Sequence, residues 1–271
     1  MSTKHYSGIL FHRGEFSGVD DVLPVEEVLS ISINELPFTI TMRSPGYELE
    51  LIRGLLFTEG IVGEILPEFS PVVKSRSLTN VITAMDVSVP DDYLLKPYTG
   101  QRSIASSSSC GLCGRTTFEE EIVSSAKMFR MEPEMISMLF AKVAEQQVDF
   151  KASGGTHASG VFDRNGRLLS MMEDIGRHNA VDKVIGDLIL KETLKEADCI
   201  TVSGRISYEI VSKVMKAGIP VIASVSAPSS MAIETAEAAG ITLIAFCRNE
   251  KLTIYTHPER FEIPAGVEMK K

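Results

Sequence analysis

The sequence is short of several things, and each shortage excludes a class of protein. No apolar run approaches the roughly 20 residues of a membrane span. Basic residues are outnumbered, with 27 Lys and Arg against 36 Asp and Glu, for a formal net charge of −9. A surface of that sign repels the nucleic-acid backbone, which argues against a non-specific grip on DNA or RNA but leaves room for a local basic pocket. Cysteine is scarce: Cys110, Cys113, Cys199 and Cys247 are too few for a disulfide framework in a chain of 271 residues. Neither GxGxxG nor GxxxxGKS/T occurs, so any nucleotide is held by something other than a Rossmann or Walker loop. The opening MSTKHYSGILFHRGEFSG lacks an apolar stretch followed by a small-residue cleavage site, and a cytoplasmic address is the expectation.

What is present is enough for a substantial core, with 44% hydrophobic residues in one or two domains. Val28 to Ile40 reads as two short strands around a turn at Asn34-Glu35. In RSPGYELELIRGLLFTEG, Ser44 suits an N-cap and Pro45 the first helical position, while Leu49, Ile52, Leu55 and Leu56 form an apolar stripe that Gly60 ends. Ile82 to Val89 reads as a strand. PEMISMLFAKVAEQQ predicts a helix with Met135, Met138, Leu139 and Val143 on one face, its methionines serving as core filler. From Gly160 a hairpin turning at Asn165-Gly166 precedes a helix with Val181, Val184, Ile185 and Leu188 inward. CITVS, VIASVS and ITLIAFC then alternate with two helices, the pattern of an α/β layer with parallel neighbours. Ligands of such layers bind beyond the carboxyl ends of the strands, where SGR (Ser203 to Arg205) and SAPSS (Ser226 to Ser230) fall. No internal repeat occurs, and no low-complexity tract exceeds the four serines Ser106 to Ser109.

Those serines lead into CGLCG, where Cys110 and Cys113 sit among glycines in a stretch without periodicity, predicting a mobile loop. Four readings of the pair stand side by side. A closed zinc site needs four ligands, and Cys199 and Cys247 lie in apolar strand patterns rather than in a second CxxC; His157 or His178 would have to serve from afar. A redox dithiol usually opens a helix, and GLCGRTTF is a poor helix start. A pair without chemistry is the third reading. Nucleophilic sulfur handling is the fourth: a thiolate accepts sulfur as a persulfide and its neighbour assists exchange, with Arg115 favouring the thiolate if near.

The polar motifs suggest an anion site. In SGGTHASG, Gly154 and Gly155 allow a tight turn with amides free to face an anion, and His157 follows; an ordinary turn and a structural histidine are the plain alternatives. EDIGRHNAVDK gathers Asp174, Arg177, His178, Asn179 and Lys183 around one helix start. Arg177 could pair with phosphate and Asp174 with a base or ribose edge, or the cluster could be an ion-pair network bracing the sheet. Ser203, Gly204 and Arg205 could cradle phosphate between a strand and a helix, and Ser226 opens a similar uncharged loop.

Taken in order, VEEVLSISINELPFTITMRSPGYELELIRGLLFTEGI, CGLCG, SGGTHASGVFD, EDIGRHNAVDKVIG, SGRISYEIVSKVMKAGIP and SAPSSMAIETAEAAGITLIAF closely resemble the formate dehydrogenase accessory sulfurtransferase family, FdhD, over nearly the whole chain. Ser153 stands where the family usually has Thr before the two glycines, and Ser229 where it usually has Thr after SAP; each keeps a hydroxyl. The resemblance implies a carrier that takes sulfur from a cysteine desulfurase and passes it to the bis-guanine-dinucleotide molybdenum cofactor, or its tungsten counterpart, of formate dehydrogenase. It implies Cys110 and Cys113 as carriers, no permanently bound cofactor and a cytoplasmic homodimer. It implies an α/β fold: a three-layer cytidine deaminase-like domain over 129–271, preceded by a smaller mixed α+β domain over 1–128 that includes the cysteine loop. The guanine ends would dock on Gly154, Gly155, His157, Asp174, Arg177, His178, Asn179, Lys183, Ser203, Gly204, Arg205 and Ser226. Zinc deaminases carry HxE or CxE before PCxxC; here neither precedes the pair and Ser109 replaces the proline, so the fold is expected without its metal. A non-catalytic cofactor-binding chaperone and a zinc-stabilised structural protein are the alternatives.

Overall fold

A computed structural model describes residues 2–98, 129–264 and 267, which form three sheets. The first is an isolated antiparallel ribbon of β1 (Thr3–His12) and β2 (Glu15–Pro24), which the sequence pattern did not foretell.

The second sheet has the order β4-β3-β6-β5, built from β3 (Glu27–Ile33), β4 (Leu36–Arg43), β5 (Val72–Arg76) and β6 (Ile82–Val87). The β3–β4 turn is where it was expected: Asn34 and Glu35 both have positive φ, 50° and 66°, as a tight hairpin turn with right-handed twist requires. Alternate residues Leu29, Ile31 and Ile33 pack on Leu51, Ile52, Leu55 and Leu56 of α1 (Glu48–Thr58). The start of α1 corrects the capping expectation. Gly46 and Tyr47 have φ of 104° and 60°, so the helix begins after them. The Ser44 hydroxyl accepts the Ile175 amide at 3.0 Å instead of capping α1. Leu49, expected on the buried stripe, is 44% exposed.

The third sheet has the order β12-β11-β10-β9-β7-β8. Its strands are β7 (His157–Phe162), β8 (Leu168–Asp174), β9 (Cys199–Val202), β10 (Val221–Ser224), β11 (Thr242–Arg248) and β12 (Lys251–Ile254). β9, β10 and β11 are parallel, while β7 runs antiparallel to β8 and β9, and β12 to β11. Side chains alternate across it. Val161, Ile200, Ile222 and Leu243 join one core with α4 (Arg177–Leu190), α5 (Tyr208–Lys216) and α6 (Ser230–Ala238). Phe162, Cys199, Val221 and Ile244 join another with Ile136, Leu139 and Val143 of α2 (Pro133–Gln146). The result is three layers, helix on sheet on helix. Met138 departs from its expected inward face and is 55% exposed, because Ile136 occupies the buried position. A short helix α3 (Val148–Ser153) links α2 to β7. Among the described residues no helix is long and apolar enough to cross a membrane.

Buried polar groups tie the second sheet to the third. Lys213 of α5 donates to both carboxylate oxygens of Asp182 on α4, at 2.8 and 2.9 Å, and to the Thr58 hydroxyl of α1 at 3.0 Å.

Candidate functional site

Strand direction gathers the polar motifs at one edge. Because β7 is antiparallel to both neighbours, its first residue, His157, lies opposite Asp174 at the end of β8 and next to the end of β9. The Gly154-Gly155 turn, the start of α4 and the Ser203-Gly204-Arg205 loop therefore meet.

Ser203 and His157 form the centre. The Ser203 hydroxyl accepts the Ala158 amide at 3.0 Å and lies 3.0 Å from Nδ1 of His157. In the tautomer with its proton on Nε2, the imidazole accepts at Nδ1 from the hydroxyl; in the other tautomer Nδ1–H donates to it. Burial first, and the nearby Arg177 second, lower the His157 pKa, favouring the neutral ring. Gly204 lets the backbone pass close: a Cβ there would lie 3.0 Å from Cδ of Arg177 and 3.4 Å from Cε1 of His157.

The two strand-end loops are tied together. Ser224 donates to the Gly204 carbonyl at 2.7 Å and its hydroxyl accepts the Ser226 amide at 2.9 Å. Ile206 donates to the Ala227 carbonyl at 3.1 Å, and Ser229 donates back to the Ile206 carbonyl at 2.9 Å. Arg205 stays exposed between them.

Asp174, Asn179 and Lys183 lie behind this surface. Asp174 is fully buried and accepts from Ser44 N at 3.1 Å, Gly176 N at 2.8 Å and Asn179 Nδ2 at 3.0 Å, while Lys183 Nζ sits 2.8 Å away. Asn179 also donates to the Met42 carbonyl at 2.8 Å, and Lys183 to the Ser44 carbonyl at 3.1 Å. These three side chains lash the end of β4 to the first turn of α4; the expected contact of Asp174 with a base or ribose edge has no open face in this arrangement. Every acceptor and donor is used, as buried charge requires.

Glu209 is a neighbour that the sequence reading did not single out. Ser207, the N-cap residue of α5, donates to its carboxylate at 2.6 Å, and His178 Nε2 lies 3.7 Å away, a charge contact longer than a hydrogen bond. The facing His178 first, with the Ser207 hydroxyl, pulls the Glu209 carboxyl down to about 2 against the opposing effect of burial. No motif marks it: Glu209 is the second residue of α5, one short of the third position that a capping box requires.

Beside His157 opens a cleft of about 510 Å³, lined by Phe140, Val143 and Phe150 on one side and by Gly155, His157 and Ser203 on the other. The apolar wall comes from α2 and α3, which carry no recognisable motif. Gly154, at φ 67°, turns the chain into β7. Gly155 packs on Pro24, where a Cβ would come within 2.7 Å of the proline ring.

Cys110 and Cys113 lie outside the described residues. Cys199 and Cys247 are buried in strands β9 and β11, and burial raises both thiols, Cys247 to about 11. Among the described residues no three His, Cys, Asp or Glu side chains cluster to hold a metal ion.

The fold and site thus define an α/β/α protein with a largely apolar cleft edged by His157, Ser203 and the Gly154-Gly155 turn. Comparison with known proteins places it further: residues 24–262 match the FdhD/NarQ family model, and the chain belongs to that family. The chain is 41% identical to a "Sulfur carrier protein FdhD" of Sulfolobus acidocaldarius over 247 residues, covering 90% of this chain and 92% of the relative. It is 35% identical to the Streptomyces avermitilis protein of the same name, covering 97% of each. A solved structure described as "a putative formate dehydrogenase accessory protein from Desulfotalea psychrophila" has the same fold, with a TM-score of 0.74 and 23% identity over 97% of this chain and 100% of that one.

Proposed function

We propose that this chain is a sulfurtransferase that carries sulfur from a cysteine desulfurase to the bis-guanine-dinucleotide molybdenum or tungsten cofactor of formate dehydrogenase. Relatives named as sulfur carriers, matched over nine-tenths of the chain or more, support the activity. The observation that supports the cofactor as acceptor is that His157 and Ser203, which line the cleft, lie against Gly204 and Arg177 just beside it.

In the first step a thiolate of Cys110 or Cys113 attacks the outer sulfur of the desulfurase persulfide. The S–S bond there breaks, the desulfurase thiolate leaves, and the carrier holds a persulfide. In the second step the carrier's S–S bond would break, the carrier thiolate leaving with the bonding pair, and the outer, sulfane-level sulfur would become the terminal sulfido ligand of the cargo metal, which itself would supply the two electrons of that reduction; the other cysteine is available for exchange. The remaining residues hold the cargo. Arg177 and Arg205 supply charge for its phosphates, the Ser226 hydroxyl supplies a hydrogen bond, and neutral His157 offers Nε2–H; the Gly154 and Gly155 amides, expected to face an anion, donate instead to the Phe150 carbonyl at 2.7 Å and to Oγ of Ser153 at 3.3 Å. Gly204 keeps the approach open. Asp174, Asn179 and Lys183 position the first turn of α4, and so Arg177 and His178, without touching cargo.

The three-layer part, 129–271, we read as a cytidine deaminase-like domain and 1–128 as a smaller α+β domain. The protein would work in the cytoplasm as a homodimer, with a cysteine desulfurase and formate dehydrogenase as partners. The test is activation of apo-formate dehydrogenase with Cys110→Ala, Cys113→Ala and the double variant. Loss of activation in the double variant supports sulfur transfer; full activation would leave a cofactor-binding chaperone.

A further inference from the structure

Strand β11 carries a bulge that turns an aromatic ring outward. It pairs Ile244 with Ile254, Ala245 with Thr253 and Arg248 with Lys251 of β12, so Phe246 and Cys247 together oppose the single residue Leu252. Cys247 is buried, whereas Phe246 is 39% exposed. Phe246 has a φ of 55°, left-handed backbone that a bulky side chain adopts only under strain. The β11–β12 turn does not require it, because Asn249 and Glu250 close that turn with φ of 51° and 59°. Bulges occur beside active sites, where they re-aim a side chain, and strain held in place points to a task for the residue that bears it.

The bulge adjoins the strand-end loops. The Phe246 amide donates to the Ser226 carbonyl at 3.1 Å, and Nε of Arg248 donates to the Val225 carbonyl at 2.6 Å. Val225 lines the cleft with His157 and Ser203. The Ser226 amide donates to Ser224, whose hydroxyl donates to the Gly204 carbonyl, so hydrogen bonds run from the Gly204 loop to the bulge. β9, β10 and β11 are successive neighbours, which puts the end of β11 about 10 Å from the Ser203-Gly204-Arg205 loop at the usual strand spacing. That is comparable to the separation of base and terminal phosphate in an extended nucleoside diphosphate.

The two exposed side chains supply complementary chemistry. An exposed aromatic ring is a platform for the face of a base. Arg248 is exposed, and with Nε engaged on Val225 both of its Nη groups keep their N–H donors; no ion pair occupies them among the described residues. An arginine fork suits the O6 and N7 acceptors of guanine. Adenine presents an amino group in place of O6, and arginine has no acceptor for it. We infer that the β11 bulge is the base subsite of the docking surface, with the Phe246 ring stacked on a purine and Arg248 donating to guanine O6 and N7. The inference rests on the reading that a guanine dinucleotide docks at this edge, and adds the residues that select its base.

The test is calorimetric titration of the full chain with GDP, inosine diphosphate, ADP and inorganic pyrophosphate. GDP and inosine diphosphate, which share O6 and N7, should bind alike, and ADP about tenfold or more weaker. Phe246→Ala should weaken GDP by about tenfold or more, the usual scale for a lost stack, and leave pyrophosphate unchanged. Phe246→Trp should restore GDP binding. The chain has no other tryptophan, so the indole emission of that variant should respond to GDP and not to pyrophosphate. Arg248→Ala should weaken GDP and spare ADP; an equal loss of both would assign the arginine to phosphate and overturn the base contact. Phe246→Gly guards against misfolding: with the left-handed backbone relieved, it should melt above Phe246→Ala yet bind GDP as weakly. A wild-type chain that binds neither GDP nor pyrophosphate would overturn the docking reading and the subsite with it. GDP binding that Arg177→Ala with Arg205→Ala weakens, and that neither Phe246→Ala nor Arg248→Ala weakens, would overturn the subsite alone.

Discussion

Gly54 of α1 and Gly186 of α4 bring the two helices into backbone contact. A Cβ on Gly54 would lie 1.8 Å from the Asp182 carbonyl oxygen, and one on Gly186 would lie 1.9 Å from the Glu50 carbonyl oxygen. No side-chain rearrangement can relieve a clash with backbone, so this crossing fixes how the second sheet sits on the third. Gly54→Ala should therefore destabilise the protein by about 3 kcal/mol or more, at the upper end of overpacking costs, despite alanine's better helix propensity. Thermal melting of the variant against the wild type checks this, and an unchanged melting temperature would mean that the helices can separate freely.

The buried pair beside that crossing makes a second prediction. Lys213 and Asp182 are 5% and 1% exposed, and burial raises the Asp182 carboxyl while Lys213 opposes the rise. Lys213→Met leaves a buried carboxylate unpaired and should cost about 3–5 kcal/mol at neutral pH. Without its partner Asp182 takes up a proton in the fold more readily than in the unfolded chain, so the loss should shrink as pH falls towards about 4. Adding Asp182→Asn should recover much of the loss. Urea unfolding of the two variants from pH 4 to pH 8 reads both effects.

Glu209 gives a pH dependence of opposite sign. Its folded carboxyl is held at about 2, below the ordinary 4.5, so its contribution is present above 4.5 and is lost as pH falls from there towards 2. Stability of the wild type should exceed that of Glu209→Gln by about 1–3 kcal/mol at pH 6, less than the full linkage value because His178 sits beyond hydrogen-bond distance. The difference should close in the acid window. A gap that persists at pH 2 would point to packing instead of charge.

For the docking surface, Arg177→Ala with Arg205→Ala should weaken GDP binding by about tenfold or more, the usual scale for hydrogen bonds to charged groups. Arg177→Ala alone should also raise the titration midpoint of His157, whose pKa the arginine depresses. Calorimetry and histidine NMR measure the two. Unchanged affinity would remove the phosphates from this rim.

Much of this fold is legible in the sequence because periodicity and turn chemistry agree. The Asn34-Glu35 hairpin, the inward faces of α4 and α5, and the β9–α5–β10–α6–β11 alternation all follow from local residues. Where tertiary structure claims a residue, local rules fail. Ser44 looks like a helix cap, yet the Ile175 amide takes its hydroxyl. Asp174 and Lys183 look like ligand groups, yet they neutralise each other at 2.8 Å inside the protein. The His157–Ser203 contact at 3.0 Å depends on β7 running against β9, and the apolar wall of the cleft depends on α2 packing beside β7. Neither is written in a motif. The ribbon of β1 and β2 alternates weakly and its apolar side chains stay outside, so no buried face marks it.

In the proposed reaction the Cys110–Cys113 pair carries the sulfur. The most direct measurement is the intact mass of the reduced protein after incubation with a cysteine desulfurase and cysteine, with the adduct mapped by peptide. The expected gain is about 32 Da, one persulfide sulfur, mapping to Cys110 or Cys113 and absent when both are alanine. No gain in the wild type, with a desulfurase that loads its own persulfide and one zinc bound per chain, would contradict it and make the pair a metal site.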